Sequence, residues 1–124
     1  MKLTNKQILE SRVAIQKVLN NDLSVRTQFK LNKNVAELNN IISIYEDSRQ
    51  KIIEKYCDKD EEGKPIIENN CFTFRKKNEE FNKDFNDLNS IENEINIEKL
   101  TLDELEDVKL NNAEFNSIKF LIKE

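Results

Sequence analysis

The residues best suited to chemistry form an acidic run, Asp58-Lys59-Asp60-Glu61-Glu62-Gly63. Acidic residues at its first, third and fifth positions, with Gly at the sixth, match the opening of a calcium-binding loop. The match then fails, because Pro65 takes the eighth position and Asn69 takes the twelfth, where a bidentate Glu belongs. An exposed acidic turn explains the run as well, so we predict no metal site there.

The remaining inventory argues against an enzyme. The chain has no His, which removes the commonest general base and metal ligand at neutral pH. A single Gly cannot build a glycine-rich phosphate loop. Cys57 and Cys71 are two ligands short of a zinc site, so we expect two buried structural thiols, with a disulfide as the minor alternative. No catalytic residue, cofactor or metal is therefore predicted.

Basic residues form two candidate patches for a partner. Arg26, Lys30 and Lys33 lie on one face of a predicted helix, and Arg75-Lys76-Lys77 follows later. Neither patch is dense, which disfavours nucleic acid. Residues 1–56 carry ten basic and six acidic side chains, net +4, whereas the remaining residues carry ten and eighteen, net −8. This asymmetry could orient a protein partner, although solvated helix faces commonly drift in charge.

A long amphipathic helix over residues 25–56 must position these groups. Its apolar residues alternate in steps of four and three with a break at Arg49, and the set consists of Leu31, Val35, Leu38, Ile42, Tyr45, Ile52 and Tyr56, extended upstream by Val25 and Phe29. Residues 74–95 continue this spacing, so we predict that they fold back antiparallel on the long helix. Arg49 would then lie within reach of Glu80 or Asp84.

Shorter elements flank these helices. Thr4 and Gln7 form a capping box that opens a first helix ending near Asn20, and Asn111 with Glu114 opens a last helix. Ser24 is a suitable N-cap for the long helix. Two short apolar runs, 66–67 and 71–74, predict a small β-hairpin, and the period-two spacing over 94–99 and at 108–110 predicts short strands around a helical turn at 101–105.

The expected fold is therefore mainly α (α+β) in a single domain, 1–124. An antiparallel long-helix hairpin, about 25–56 with 75–93, carries a small β-hairpin at its tip, short N- and C-terminal helices, and one or two short strands. No stretch reaches the ~20 apolar residues of a membrane helix, and the first residues lack the apolar run of a signal peptide. We expect a cytoplasmic protein without membrane contact.

Several segments also support a resemblance. They are the opening Lys2-Leu3-Thr4-Asn5-Lys6, the first helix ending near Val18-Leu19, Ile52-Ile53-Glu54-Lys55-Tyr56, Asp60-Glu61-Glu62-Gly63, Glu80-Phe81-Asn82-Lys83-Asp84-Phe85-Asn86-Asp87-Leu88, and Leu102-Asp103-Glu104-Leu105 to Leu121-Ile122. In these segments the chain resembles a family of small proteins of unknown function from phages and prophages of low-GC Gram-positive bacteria. The resemblance implies a phage or prophage source and supplies no functional residues.

Two functional hypotheses follow. The first is a non-enzymatic phage protein that acts by protein–protein binding, as a virion or tail assembly accessory or structural protein. The alternative is an anti-CRISPR-like inhibitor of a host defence or regulatory protein, acting through the acidic C-terminal half. Either protein would occupy the cytoplasm of the infected host, the first also the virion, and homo-oligomers are compatible with both. The candidate contact residues are Arg26, Lys30, Lys33, Asp58, Asp60, Glu61 and Glu62.

Overall fold

The computed structural model describes residues 1–123, which are mainly helical with small antiparallel sheets. The helices are α1 (Asn5–Glu10), α2 (Arg12–Leu19), α3 (Val25–Tyr56), α4 (Asn78–Ser90) and α5 (Asn112–Ser117). The strands are β1 (Lys2–Thr4), β2 (Ile67–Glu68), β3 (Cys71–Phe72) and β4 (Glu92–Glu94), and two 3-10 turns cover Asp103–Leu105 and Lys119–Leu121. The prediction of a mainly helical fold with one long helix is confirmed.

The chain forms two compact units. The first unit comprises residues 1–42 and 92–124, and the second unit comprises residues 43–91. Among residues 1–123, no helix is both long enough and apolar enough to span a membrane.

α3 has the bounds that the heptad spacing predicts. Ser24 opens it, because its hydroxyl accepts a hydrogen bond from the backbone N–H of Thr27 at 3.2 Å. Its buried apolar residues, Leu31, Leu38, Tyr45 and Ile53, recur at intervals of seven or eight residues. Nothing interrupts the helix, because the single Gly and the single Pro of the chain both come after it.

The core of the first unit gathers side chains from both of its chain segments. Its buried members are Leu3, Ile8, Ala14, Ile15, Val18, Leu31, Leu38, Ile95, Leu100, Ile118, Leu121 and Ile122. β1 pairs antiparallel with β4, with Leu3 opposite Asn93, and a parallel bridge joins Leu100 to Ile122. Burying this many aliphatic side chains supplies most of the stability of such a unit.

The predicted first helix is divided in two at Ser11. Its capping box is confirmed, since Thr4 and Gln7 bond reciprocally at 2.8 and 3.1 Å. Ser11 is fully buried, and its hydroxyl donates a 2.6 Å hydrogen bond to the carbonyl oxygen of Ile8. A serine hydroxyl that bonds to the preceding turn competes with the helix ladder, which explains the break.

The C-terminal segment is less regular than its spacing predicts. The strand predicted over 94–99 is wrong in its bounds, because residues 95–99 form no strand. The strand here is β4, Glu92–Glu94, which pairs with β1 and replaces the last turn expected of α4. The strand expected at Val108 and Leu110 is absent from residues 1–123, where Val108 instead closes a turn by donating to the carbonyl oxygen of Leu105 at 3.0 Å. The capping box of Asn111 and Glu114 is confirmed and opens α5.

The second unit contains the predicted β-hairpin. β2 and β3 pair antiparallel around Asn69 and Asn70, whose φ angles are 53° and 64°. Two consecutive residues with positive φ form a type I′ turn, and Asn tolerates this conformation better than most residues. The prediction of a small hairpin before α4 is therefore confirmed.

Hydrogen bonds from two tyrosine hydroxyls connect α3 with α4 in the second unit. The hydroxyl of Tyr45 donates to Asn89 at 2.7 Å, and that of Tyr56 donates to Asp84 at 2.6 Å. Arg49 pairs with Glu46 of its own helix at 3.9 Å, so the ion pair expected with Glu80 or Asp84 is wrong. Tyr56 already occupies the carboxylate of Asp84.

Candidate interaction surfaces

Asp58 is a structural residue of the second unit. It is buried, and its carboxylate accepts hydrogen bonds from the Thr73 hydroxyl at 2.8 Å and from the backbone N–H groups of Arg75 and Lys76 at 2.8 and 3.2 Å. These bonds, that from Arg75 foremost, lower the pKa of Asp58 below its ordinary value. The structure therefore places this candidate contact residue inside the fold rather than on a docking surface.

The rest of the acidic run is a tight turn that satisfies its own polar groups. The Asp60 carboxylate accepts from the backbone N–H groups of Glu62 and Lys64 at 2.9 and 3.0 Å, and Gly63 takes the positive φ of 81°. Glu61 and Glu62 are exposed. Among residues 1–123, no group of three or more metal-ligating side chains comes together.

Of the three candidate basic residues at the start of α3, Lys30 and Lys33 are paired within the first unit. Lys30 forms an ion pair with Glu104 at 3.3 Å, and Lys33 forms one with Glu98 at 3.1 Å. Arg26 is exposed and has no ion pair with any residue among 1–123. The three side chains therefore do not act as one basic patch, since the field of two of them is compensated by acidic side chains of the same unit.

Glu104 is the centre of a polar network. Its carboxylate accepts from the backbone N–H of Thr101 at 3.0 Å and from the Thr27 hydroxyl at 2.9 Å, in addition to the Lys30 ammonium. The bond from Thr101 foremost, followed by those from Thr27 and Lys30, lowers the pKa of Glu104 from its ordinary 4.5 to about 2. This carboxylate fastens the segment after β4 to α3 and is unsuited to proton transfer near neutral pH.

A second polar device holds the same segment. Asn34 is 1% exposed, and its side chain donates to the carbonyl oxygen of Glu98 at 2.8 Å and accepts from the backbone N–H of Glu98 at 2.9 Å. The amide thus replaces a strand partner, which explains how residues after β4 satisfy their backbone without a sheet.

Two apolar residues of α3 remain in solvent. Val25 is 84% exposed and Phe29 is 65% exposed, although their spacing made them appear as an extension of the buried seam. With Arg26, Lys30 and Glu98 they line a surface depression of about 620 Å³. The Lys33 ammonium lies 5.8 Å from the centroid of the Phe29 ring, within cation–π range. Exposed apolar side chains that adjoin one another are typical of contact surfaces.

A second apolar surface lies in the C-terminal part of the first unit and was missed by the sequence reasoning. A hollow of about 530 Å³ is lined by Leu102, Leu105, Glu106, Val108, Leu110, Asn111, Asn112 and Phe115. Leu102 is 59% exposed at its edge. The apolar residues Val108 and Leu110 were a visible signal for this surface in the sequence. The predicted strand at 108–110 placed them against a sheet instead.

An acidic groove of about 310 Å³ adjoins this hollow. It is lined by Asn21, Asp22, Leu23, Ser24, Thr27, Asp103, Glu104, Glu106, Asp107 and Val108. Five carboxylates line it, and four of them are free of the network around Glu104, so the groove presents a negative surface.

The two thiols differ. Cys57 is buried and Cys71 is exposed, and neither forms a disulfide. The prediction of two buried thiols is therefore correct for Cys57 and wrong for Cys71. Alternation along β3 explains the difference, because the half-buried Phe72 turns inward and the preceding residue must turn outward.

Comparison of the chain with protein-family models, with curated proteins and with solved structures found no match.

Proposed function

We propose that this chain is a non-enzymatic protein that acts by binding another protein, as an accessory or structural protein of phage virion or tail assembly. The observation that carries the proposal is the exposure of Val25 and Phe29, one helical turn apart at the start of α3. The role in assembly rests on the resemblance to phage and prophage proteins. The protein would be located in the cytoplasm of the infected host and then in the virion.

The state of the carboxylates supports a non-enzymatic role. Asp58 accepts three hydrogen bonds that shape the second unit, and Glu104 accepts bonds from α3 and from its own turn. Both have a lowered pKa, whereas a general acid or base near neutral pH needs a raised one. We also propose that α3 and α4 pack as the antiparallel hairpin of the heptad spacing, which the hydrogen bonds of Tyr45 and Tyr56 support.

The test is mass spectrometry of virions induced from the strain that carries the gene. We expect the chain in purified virions or in assembly intermediates, and we expect Phe29→Asp to lower its incorporation. Val13→Asp is the matched control, because Val13 is also an exposed apolar helix residue, at 64%, outside the surface around Phe29. Absence of the chain from both virions and intermediates would overturn the assembly role.

The second candidate is an inhibitor of a host defence or regulatory protein. The acidic groove favours it, because a negative surface attracts a basic protein such as one that binds nucleic acid. Affinity capture from infected cells distinguishes the two candidates. If the chain is an inhibitor, the wild-type chain captures a host protein, and the variants Asp103→Lys and Asp107→Lys do not capture it. The control Glu37→Lys, on the exposed surface of α3, should still capture it.

A further inference from the structure

The exposed start of α3 has the properties of an anchor. Val25 and Phe29 project from consecutive turns with 84% and 65% of their surface in solvent, and Arg26 stands beside them without an ion pair among residues 1–123. We call these three residues the α3 knob. It combines an aromatic side chain with an arginine, the two residue types most enriched where protein interfaces derive their affinity.

The hollow in the C-terminal part of the first unit has complementary properties. Its apolar wall consists of Leu102, Leu105, Val108, Leu110 and Phe115, and Glu106 stands at its rim. We call it the C-terminal hollow. The hollow is open to solvent, and its volume of about 530 Å³ lies within the range of binding pockets in proteins. Its charge is opposite to that of the knob, since Glu106 is followed by the exposed Asp107.

We propose that the α3 knob of one copy of this chain docks into the C-terminal hollow of a second copy. In this contact Phe29 and Val25 enter the apolar hollow, and Arg26 meets Glu106 at its rim. Pairing of α3 cations with carboxylates of the C-terminal segment already occurs inside the first unit, in the Lys30–Glu104 and Lys33–Glu98 ion pairs. The inference rests on the proposed protein-binding function and names the partner as a second copy.

The knob and the hollow have no residue in common, so one copy can present both surfaces. A contact between two different surfaces is heterologous, and it continues head to tail into a ring or an open chain of subunits. Nucleic acid is a poorer partner for the knob than a second copy of the chain, because the net charge of the chain is −4 and Glu98 lines the depression beside the knob.

The test is sedimentation of the purified chain at concentrations between roughly 10 µM and 1 mM, a range that covers the weak association of a small interface. We expect the weight-average mass to rise with concentration and to fall when salt is added, since charges contribute to the contact. Phe29→Asp, which damages the knob, and Leu102→Asp, which damages the hollow, should each remain monomeric. Circular dichroism and thermal unfolding establish that both variants are folded.

Mixing the two variants gives the decisive measurement. A copy with an intact knob and a copy with an intact hollow should form a one-to-one dimer, although neither associates alone. The charge pair is tested in the same way. Arg26→Glu and Glu106→Arg should each associate less than the wild-type chain when measured alone, and a mixture of the two variants should associate again. Val13→Asp is the control and should associate as the wild-type chain does.

Two results overturn the self-docking inference. The first is that the wild-type chain stays monomeric at the highest concentration. The second is that the wild-type chain associates but the mixture of Phe29→Asp and Leu102→Asp stays monomeric. Incorporation into virions tests the proposed function separately. A monomer that is nevertheless found in virions refutes only the self-docking, and an associating chain that is absent from virions and intermediates refutes only the assembly role.

Discussion

Replacing Glu104 by Gln should destabilise the first unit through its electrostatics, because Gln keeps the size of the side chain but loses the charge. A pKa of about 2 in place of 4.5 corresponds to at most about 3.5 kcal/mol, at about 1.4 kcal/mol for each pKa unit. The side chains of Glu104 and Lys30 are 19% and 30% exposed, so screening by solvent lowers the expected loss to about 1–2 kcal/mol.

The pH dependence of this loss has a definite sign. The pKa of Glu104 is lowered in the folded state, so its contribution to stability is fully present above pH 4.5 and is lost as the pH falls through about 2. The wild-type chain and Glu104→Gln should therefore differ most near neutral pH and converge in acid.

Urea denaturation of both proteins, from about pH 7 down to about pH 3, measures this difference in the free energy of unfolding. Glu37→Gln is the matched control, because Glu37 is an exposed glutamate of α3 without an ion pair among residues 1–123, and it should leave stability within about 0.5 kcal/mol. The reasoning is refuted if Glu104→Gln is as stable as the wild-type chain near neutral pH, or if the difference between them does not change with pH.

Two further predictions follow from the polar contacts and the thiols. Asn34→Ala should lower the free energy of unfolding by about 2–4 kcal/mol, because it removes two buried hydrogen bonds and leaves backbone groups unsatisfied. The control Asn39→Ala, at an exposed position, should lower it little. A small loss for Asn34→Ala in urea denaturation contradicts this role of Asn34. Cys71 should react quickly with a thiol reagent in the folded protein, and Cys57 should react only after unfolding. Cys71→Ser should therefore abolish the fast labelling. Fast labelling of both thiols, or fast labelling that persists in Cys71→Ser, contradicts the burial of Cys57.

The features that sequence reasoning predicts correctly are local ones. The bounds of α3 follow from its heptad spacing and from Ser24, and both capping boxes depend on residues three positions apart. The turn at Asn69 and Asn70 likewise depends on two adjacent residues. In each case the interacting groups lie within one or two turns of one another, so their spacing contains the whole of the physical argument.

The features that sequence reasoning misses depend on contacts between distant parts of the chain. Lys30 and Glu104 are separated by 74 positions and Lys33 and Glu98 by 65, so nothing in the local pattern shows that these cations are compensated. The position of β4 is set by its pairing with β1, at the other end of the chain. The exposure of Phe29 could not be predicted either, because a heptad residue near a helix end is buried only if another segment covers it.

The division of the chain into its two units has a consequence for biosynthesis. The second unit is continuous in sequence, so all of its residues have been translated before residue 92 is added. The first unit is discontinuous, and its core requires Ile118, Leu121 and Ile122. Its N-terminal segment must therefore wait, with its apolar residues uncovered, until translation has passed residue 122. During that interval the nascent chain is a natural client for a chaperone. A stop codon between positions 92 and 118 would leave the second unit all of its residues but remove Ile118, Leu121 and Ile122 from the core of the first unit.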